Sequence, residues 1–157
     1  GEATGTYLVD SPVSEADILL MAHQLASQRL HRGRSLTTPK AVFSHLQTLL
    51  GNYEYEVFAL LMLDNKHRVL QFRELFRGTL DGASVYPREV VKVCLENNAA
   101  AVILVHNHPS GDPEPSQAER TLTRKLQDAL NLIDIRTLDH VVVGSEGCVS
   151  MAERGHL

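Results

Sequence analysis

Residues 99–105, AAAVILV, form an unbroken apolar run, and the chain passes straight from it into HNHPSGDPEPSQAE, residues 106–119. Such a run suits a strand buried on both faces, in the middle of a sheet that helices cover on each side. The three prolines and one glycine between positions 109 and 115 then forbid regular structure. A doubly buried strand that ends on two histidines and a stiff loop dictates much of the fold: apolar helix faces must cover it, and the loop must lie at the end of the sheet.

The flanking segments supply those layers. Ser14 caps a helix with Asp17 three residues on, and Ile18, Met21, Leu25 and Leu30 give it an amphipathic stripe before Gly33. Thr38 caps a second helix that opens at Pro39, carries Val42, Phe43, Leu46, Leu49 and Leu50 on one face, and stops at Gly51. The run YEVFALLML, the turn DNKH and the segment RVLQFRELF predict a β-hairpin. After the loop GTLDGASVY, Pro87 opens a helix with apolar positions at Val90, Val91, Cys94 and Leu95 that ends around Asn97 and Asn98. A helix from Ser116 to about Leu132, then the strands DIRTLDHVVVG and CVSMA around the turn GSEG, lead to a polar tail. The expected order, α-α-β-β-α-β-α-β-β, is that of an α/β sandwich without internal repeats.

With 157 residues, 43% of them hydrophobic, the chain has enough material for one compact domain. Its net charge is −4 and its lysines and arginines occur only as scattered pairs, so no broad field is available to grip a phosphate backbone. That excludes strong autonomous nucleic-acid binding. Cys94 and Cys148 are too far apart for a CxxC clip, and their apolar neighbours predict buried thiols, which fits a reducing cytoplasm. The longest apolar runs, such as Val57 to Leu63, are far too short to span a bilayer, and no basic-then-apolar signal opens the chain, so no membrane association is expected. The chain opens on Gly1 rather than Met, which fits a processed or recombinant fragment.

In a strand, residues two apart share a face, so His106 and His108 aim both imidazoles at one point while Asn107 points away. Glu119, on the first turn of the next helix, can supply a third ligand and leave the fourth tetrahedral position to water, as catalytic zinc requires. Two nitrogens and one oxygen favour zinc, with iron, cobalt or nickel as possible occupants in vitro. The same residues have a plainer reading. S-x-x-E at a helix start is a capping box, in which Ser116 and Glu119 each bond the other's backbone N–H. Ser116 can do both jobs, because a capping serine keeps its hydroxyl proton to donate. Glu119 is expected to be more exclusive, since an oxygen reaching back to Ser116 constrains how the other approaches a metal. Glu56, by periodicity alone, is the exposed start of a strand. His-Asn-His is not an HNH nuclease motif, which is spread over tens of residues in a ββα unit. His23, His31, His45, His67, His140 and His156 have no ligand spacing to one another, and packing or surface roles are their default. His140, beside Asp139 at a strand start, is the one singled out for contact with the ligands from behind. Asn107 and Asp112 receive no role.

From about Ala16 to the end, and most specifically from Glu56 onward, the sequence resembles the bacterial RadC family, whose core is a JAMM (MPN+) metalloprotease-like domain. The segments EVFALLMLDNKHRVL, ELFRGTL, VYPREVVKVCLENNAAAVILVHNHPSGDPEPSQAE and LDHVVVG follow that family's pattern in order and spacing. The resemblance implies a JAMM/MPN-like, cytidine-deaminase-like mixed β-sheet flanked by helices over residues 52–157, with residues 1–51 as an N-terminal helical extension. It implies one zinc ion on His106, His108 and Glu119, Glu56 as the general base, and Ser116 as a donor to the oxyanion. The motif usually reads H-x-H, seven residues, then S-x-x-D. Here Glu119 stands where Asp is usual, and its extra carbon must be absorbed by a different rotamer or a shifted ion. The helix-hairpin-helix segment that precedes this domain in full-length RadC-like proteins is not found in this sequence. The implied activity is zinc-dependent hydrolysis of peptide or isopeptide bonds in the cytoplasm, with a protein or peptide as substrate and only indirect association with DNA. An alternative from another class is a non-catalytic interaction module for DNA repair or replication, with a vestigial or structural metal site. A metal-dependent nuclease is disfavoured by the net charge and the single carboxylate.

Overall fold

The computed structural model of the protein describes residues 5–30, 32–33, 39–79 and 85–157. Its elements run α1 (Glu15–Arg29), α2 (Pro39–Leu50), β1 (Val57–Leu63), β2 (Val69–Arg77), α3 (Pro87–Glu96), β3 (Ala101–Asn107), α4 (Gln117–Asn131), β4 (Arg136–Gly144) and β5 (Gly147–Ser150). This is the order predicted from the sequence, although the Thr38 cap and part of the loop after β2 lie outside the described residues.

The five strands form one sheet in the order β2-β1-β3-β4-β5, which puts the apolar run of β3 in the centre. β3 and β4 pair in parallel, joined by the crossover through α4, while the other neighbours are antiparallel. The alternation of each strand then divides the core in two. Val57, Ala59, Leu61 and Leu63 of β1, with Ala101, Ile103 and Val105 of β3, pack against Leu30 at the end of α1 and Val42, Leu46, Leu49 and Leu50 of α2. Phe58, Leu60, Met62, Val102 and Leu104 pack against Val90, Val93 and Cys94 of α3 and Leu122, Leu126 and Leu130 of α4. The result is a mixed α/β sandwich with β3 covered on both faces.

Four expectations are corrected in detail. The central strand begins at Ala101 rather than Ala99, because the Ala99 N–H still closes α3 on the Cys94 carbonyl, and it runs on through His106 and Asn107. Helix α1 has the predicted Ser14–Asp17 capping box, but its stripe is only half covered: Ile18 is 53% and Met21 37% exposed, whereas Ala26 and Leu30 are buried. Periodicity marks a face, but burial needs a second element to lie on it. The last strand ends at Ser150 rather than at Ala152, and the chain turns there. Met151 is fully buried with its N–H on the His140 carbonyl, and Arg154 pairs with Glu114 at 3.0 Å. Cys94 is buried as expected, but Cys148 is only partly so, and burial pushes both thiols up to about 11. Among the described residues no helix is long and apolar enough to cross a membrane.

Two glycines bring the proline-rich loop down onto the β4–β5 turn. Gly111 has a φ of +98°, in the left-handed region that favours glycine, and its carbonyl accepts from the Glu146 N–H at 3.1 Å. Gly144 packs so closely that a Cβ there would collide with the Gly111 carbonyl. Gly144→Ala is therefore expected to lower stability by about 1–3 kcal/mol, the usual cost of overpacking. Urea unfolding checks this, with a lower midpoint at unchanged slope as the expected outcome.

Candidate metal centre

The site lies at the carboxyl end of β3, beside the only parallel strand pair found among the described residues. His106, the penultimate residue of the strand, is fully buried and sits between Phe58 of β1 and Val142 of β4. His108 follows directly and is held by its N–H to the Val143 carbonyl at 2.8 Å. The loop then delivers the N-terminus of α4, where Ser116 is the cap and Glu119 lies on the first turn. The predicted convergence occurs: one donor atom each from His106, His108 and Glu119 lie within 4.8 Å of one another.

The separations permit a test of fit. His106 Nε2 and His108 Nε2 are 3.1 Å apart, His108 Nε2 is 2.9 Å from Glu119 Oε1, and His106 Nε2 is 3.2 Å from Glu119 Oε2. Zinc bonds of about 2.0–2.2 Å in a tetrahedron place neighbouring donors about 3.3–3.6 Å apart. With Glu119 turning Oε1 to one histidine and Oε2 to the other, each separation lies just inside the spacing of tetrahedral neighbours, and the side chains need to open only slightly around an ion. The protonation of two of the three also suits a cation. Burial holds His106 below the usual histidine range despite the Glu119 carboxylate beside it, which favours its neutral form. For Glu119, burial alone would raise the carboxyl, but hydrogen bonds from His106, His108 and the Ser116 N–H outweigh it and hold the group well below the carboxylate range. His108 is pushed up, chiefly by its hydrogen bond to Glu119.

The His108 ring is oriented from behind by the backbone. Its Nδ1 lies 2.9 Å from the Asp112 carbonyl, an acceptor only, so Nδ1 carries a proton and Nε2 is the nitrogen that would meet an ion once it gives up its own proton. Asp112, which had no role in the sequence, acts through its main chain.

The expected exclusivity of Glu119 is not what the structure has. Its Oε2 accepts from the Ser116 N–H at 2.9 Å and the Ser116 Oγ accepts from the Glu119 N–H at 3.2 Å, a complete capping box. Yet Oε1 of the same carboxylate reaches His108. Oε2 both caps the helix and lies 3.2 Å from His106 Nε2, while Oε1 meets His108, and the capping bond fixes the rotamer that presents the carboxylate to the histidines. The Ser116 side-chain oxygen accepts the cap bond, which leaves its proton to donate.

Glu56 stands just before β1 and is half-buried. It lines a cleft of about 530 Å³ together with Glu54 and Tyr55 on its own side, Gly78 and Thr79 past β2, and His108, Pro109 and Ser110 opposite. Its charge acts to raise both histidines of the cluster. Asn107, the other residue without a role in the sequence, is what pins this segment. Its Oδ1 accepts from the Val57 N–H at 2.7 Å and its Nδ2 donates to the Tyr55 carbonyl at 3.0 Å, so one side chain brackets Glu56 from both sides. A polar residue within an otherwise apolar buried strand was the sequence signal for it.

His140 is placed in direct contact with His106, Nε2 to Nδ1 at 2.7 Å, and Thr123 of α4 stands behind it. Thr123 was not anticipated, although a threonine one turn after Glu119 on the apolar stripe of α4 was a visible signal.

A mixed sheet between helical layers, with a His-x-His strand end facing the first carboxylate of the next helix, defines an α/β domain able to hold a metal ion at the end of its central strand. The family model described as "RadC-like JAB domain" matches residues 36–156, and the chain belongs to that family. Two relatives named "UPF0758 protein" from Vibrio cholerae serotype O1 are similar over nearly their whole length. One is 55% identical over 151 residues, 96% of this chain and 95% of the relative; the other is 54% identical over 154 residues, 98% of each. A "UPF0758 protein" from Marinobacter nauticus is 58% identical over 135 residues, which are 86% of this chain and 60% of that relative.

The Asn107 bracket makes a direct prediction. Asn107→Leu orphans the buried Val57 N–H and the Tyr55 carbonyl, at about 1–3 kcal/mol for each group left unpaired. Chemical denaturation of the metal-free protein measures the loss, and no loss of stability would refute the bracket.

Proposed function

We propose that this domain is a zinc-dependent hydrolase acting on peptide or isopeptide bonds. The single observation that carries the reading is the His106, His108 and Glu119 triad, whose donor spacing suits a tetrahedral cation with one position left over. The two-nitrogen, one-oxygen set favours zinc over softer or harder ions. When bound, such an ion supplies Lewis acidity, polarising a scissile carbonyl and acidifying water in the site. The chain's own residues do the rest. Glu56, in the cleft beside His108, takes the water proton and returns it to the departing amine. Ser116 donates a hydrogen bond from its hydroxyl to the carbonyl oxygen as that atom gains charge. Asn107 and the Ser116 cap hold these two groups in place before substrate arrives, so no reorganisation is needed at the moment of reaction.

The geometry favours this reading over a non-catalytic interaction module. That alternative drew on the longer Glu119, and the carboxylate reaches both histidines while it caps its helix. Glu54 and Glu56 in the cleft add negative charge where a nuclease would need positive charge.

The wild-type protein is expected to retain about one zinc per chain after purification without added metal, a stoichiometry that matches the one ligand cluster found among the described residues. Glu56→Gln should keep that zinc and lose peptide or isopeptide cleavage by about 10²–10⁴-fold. Elemental analysis and a peptide-library assay read both. A metal-free protein with no Glu56-dependent cleavage would contradict the reading.

A further inference from the structure

His106 and His140 are both fully buried, and neither ring can find water. They form one end of a four-membered polar chain. His106 Nδ1 lies 2.7 Å from His140 Nε2, His140 Nδ1 lies 2.5 Å from Thr123 Oγ1, and Thr123 Oγ1 donates to the Glu119 carbonyl at 2.7 Å. The surroundings are otherwise apolar: the Phe58 ring meets His140 edge-on at 6.0 Å, and Met151 Sδ lies 3.5 Å from Thr123 Oγ1.

Proton counting sets the direction of this chain. A carbonyl oxygen only accepts, and a hydroxyl has one proton to give. With the Thr123 proton on the Glu119 carbonyl, Thr123 Oγ1 must accept from His140 Nδ1–H. The neutral His140 ring then has a bare Nε2, which accepts from His106 Nδ1–H. In the cation-bound state this leaves His106 with a lone pair on Nε2, the nitrogen that faces His108 and Glu119. The reverse direction, with the Thr123 proton on His140, ends with a proton on His106 Nε2, where no cation could bind. We propose that His140 and Thr123 are a buried positioning pair that fixes the ligating tautomer of His106, the far end of the chain being anchored on the main chain of the third ligand. This rests on reading His106, His108 and Glu119 as a cation site.

The pair is a side-chain counterpart to what Asp112 does for His108. His108, near the surface, uses a backbone carbonyl of its own loop. His106 lies inside the sheet, where strand carbonyls are committed to the ladder, so its partner must come from a neighbouring element. The parallel pairing of Leu104 with His140 puts the β4 ring on the same face, next to His106. Helix α4 then serves the site three times, with Ser116 and Glu119 at its cap and Thr123 one turn later.

The test is zinc affinity of the whole chain, measured by competition with a chromophoric chelator. His140→Phe and Thr123→Val should weaken binding about 10–100-fold, the usual effect of losing a partner behind a ligand. Thr123→Ser, which keeps the hydroxyl, should restore near-wild-type affinity, a rescue that mere packing would not give. Long-range ¹H–¹⁵N correlation of zinc-loaded wild type should find the His106 proton on Nδ1 and the His140 proton on Nδ1. That readout needs no variant to fold. Equal zinc affinity in wild type and Thr123→Val, or a proton on His140 Nε2 in the loaded wild type, would overturn the pair while leaving the zinc site intact. Folded wild type that binds no zinc would overturn the pair together with the cation reading beneath it.

Discussion

A fully buried imidazole must have both ring nitrogens satisfied, and His106 is such a group at the end of the central, fully buried strand of the sheet. One nitrogen turns inward to His140; the other turns outward to His108 and Glu119. Much of the architecture follows from meeting both demands at once. The parallel β3–β4 pair supplies the inner partner, the glycine-lined loop returns the chain at the required distance, and α4 brings the outer carboxylate. The apolar core provides rigidity, because alternate residues of β1 and β3 are locked between two helical layers and leave the strand end little room to shift.

Helix capping and metal ligation are usually weighed as rivals for a glutamate at the third helical position. In this domain the capping geometry is compatible with ligation. A carboxylate has two oxygens, and the bond from the Ser116 N–H to Oε2 immobilises the side chain so that Oε1 stays at His108. The N-terminus of α4 also favours the ionised carboxylate, through its exposed N–H groups and its dipole. The extra methylene of Glu119 is accommodated in a geometry that the histidine spacing already fits.

The succession of elements was legible in the sequence because each rests on local chemistry: the apolar run of β3, the Ser14 and Ser116 capping boxes, Pro39 and Pro87 at helix starts. The convergence of His106 and His108 was legible because strand alternation is local too. What escaped was contact between distant elements. His140 is 34 residues from His106, and their meeting depends on the β3–β4 register, which shifts between Val102 and Ile103. Asn107 was read correctly as turned from the histidines, but its task on the Tyr55 and Val57 backbone exists only once β1 lies beside β3. The sharing of one carboxylate between cap and ligands depends on a rotamer, which spacing does not encode. The stripe of α1 failed in the opposite sense: a correct local pattern, with no element over its first turns among the described residues.

X-ray diffraction collected on either side of the zinc absorption edge tests the central claim most directly. One anomalous peak is expected, about 2.0–2.2 Å from His106 Nε2, His108 Nε2 and a Glu119 oxygen. The second Glu119 oxygen should remain on the Ser116 N–H. Zinc bound away from these three residues, or a Glu119 side chain committed to its cap and turned from the ion, would contradict the account.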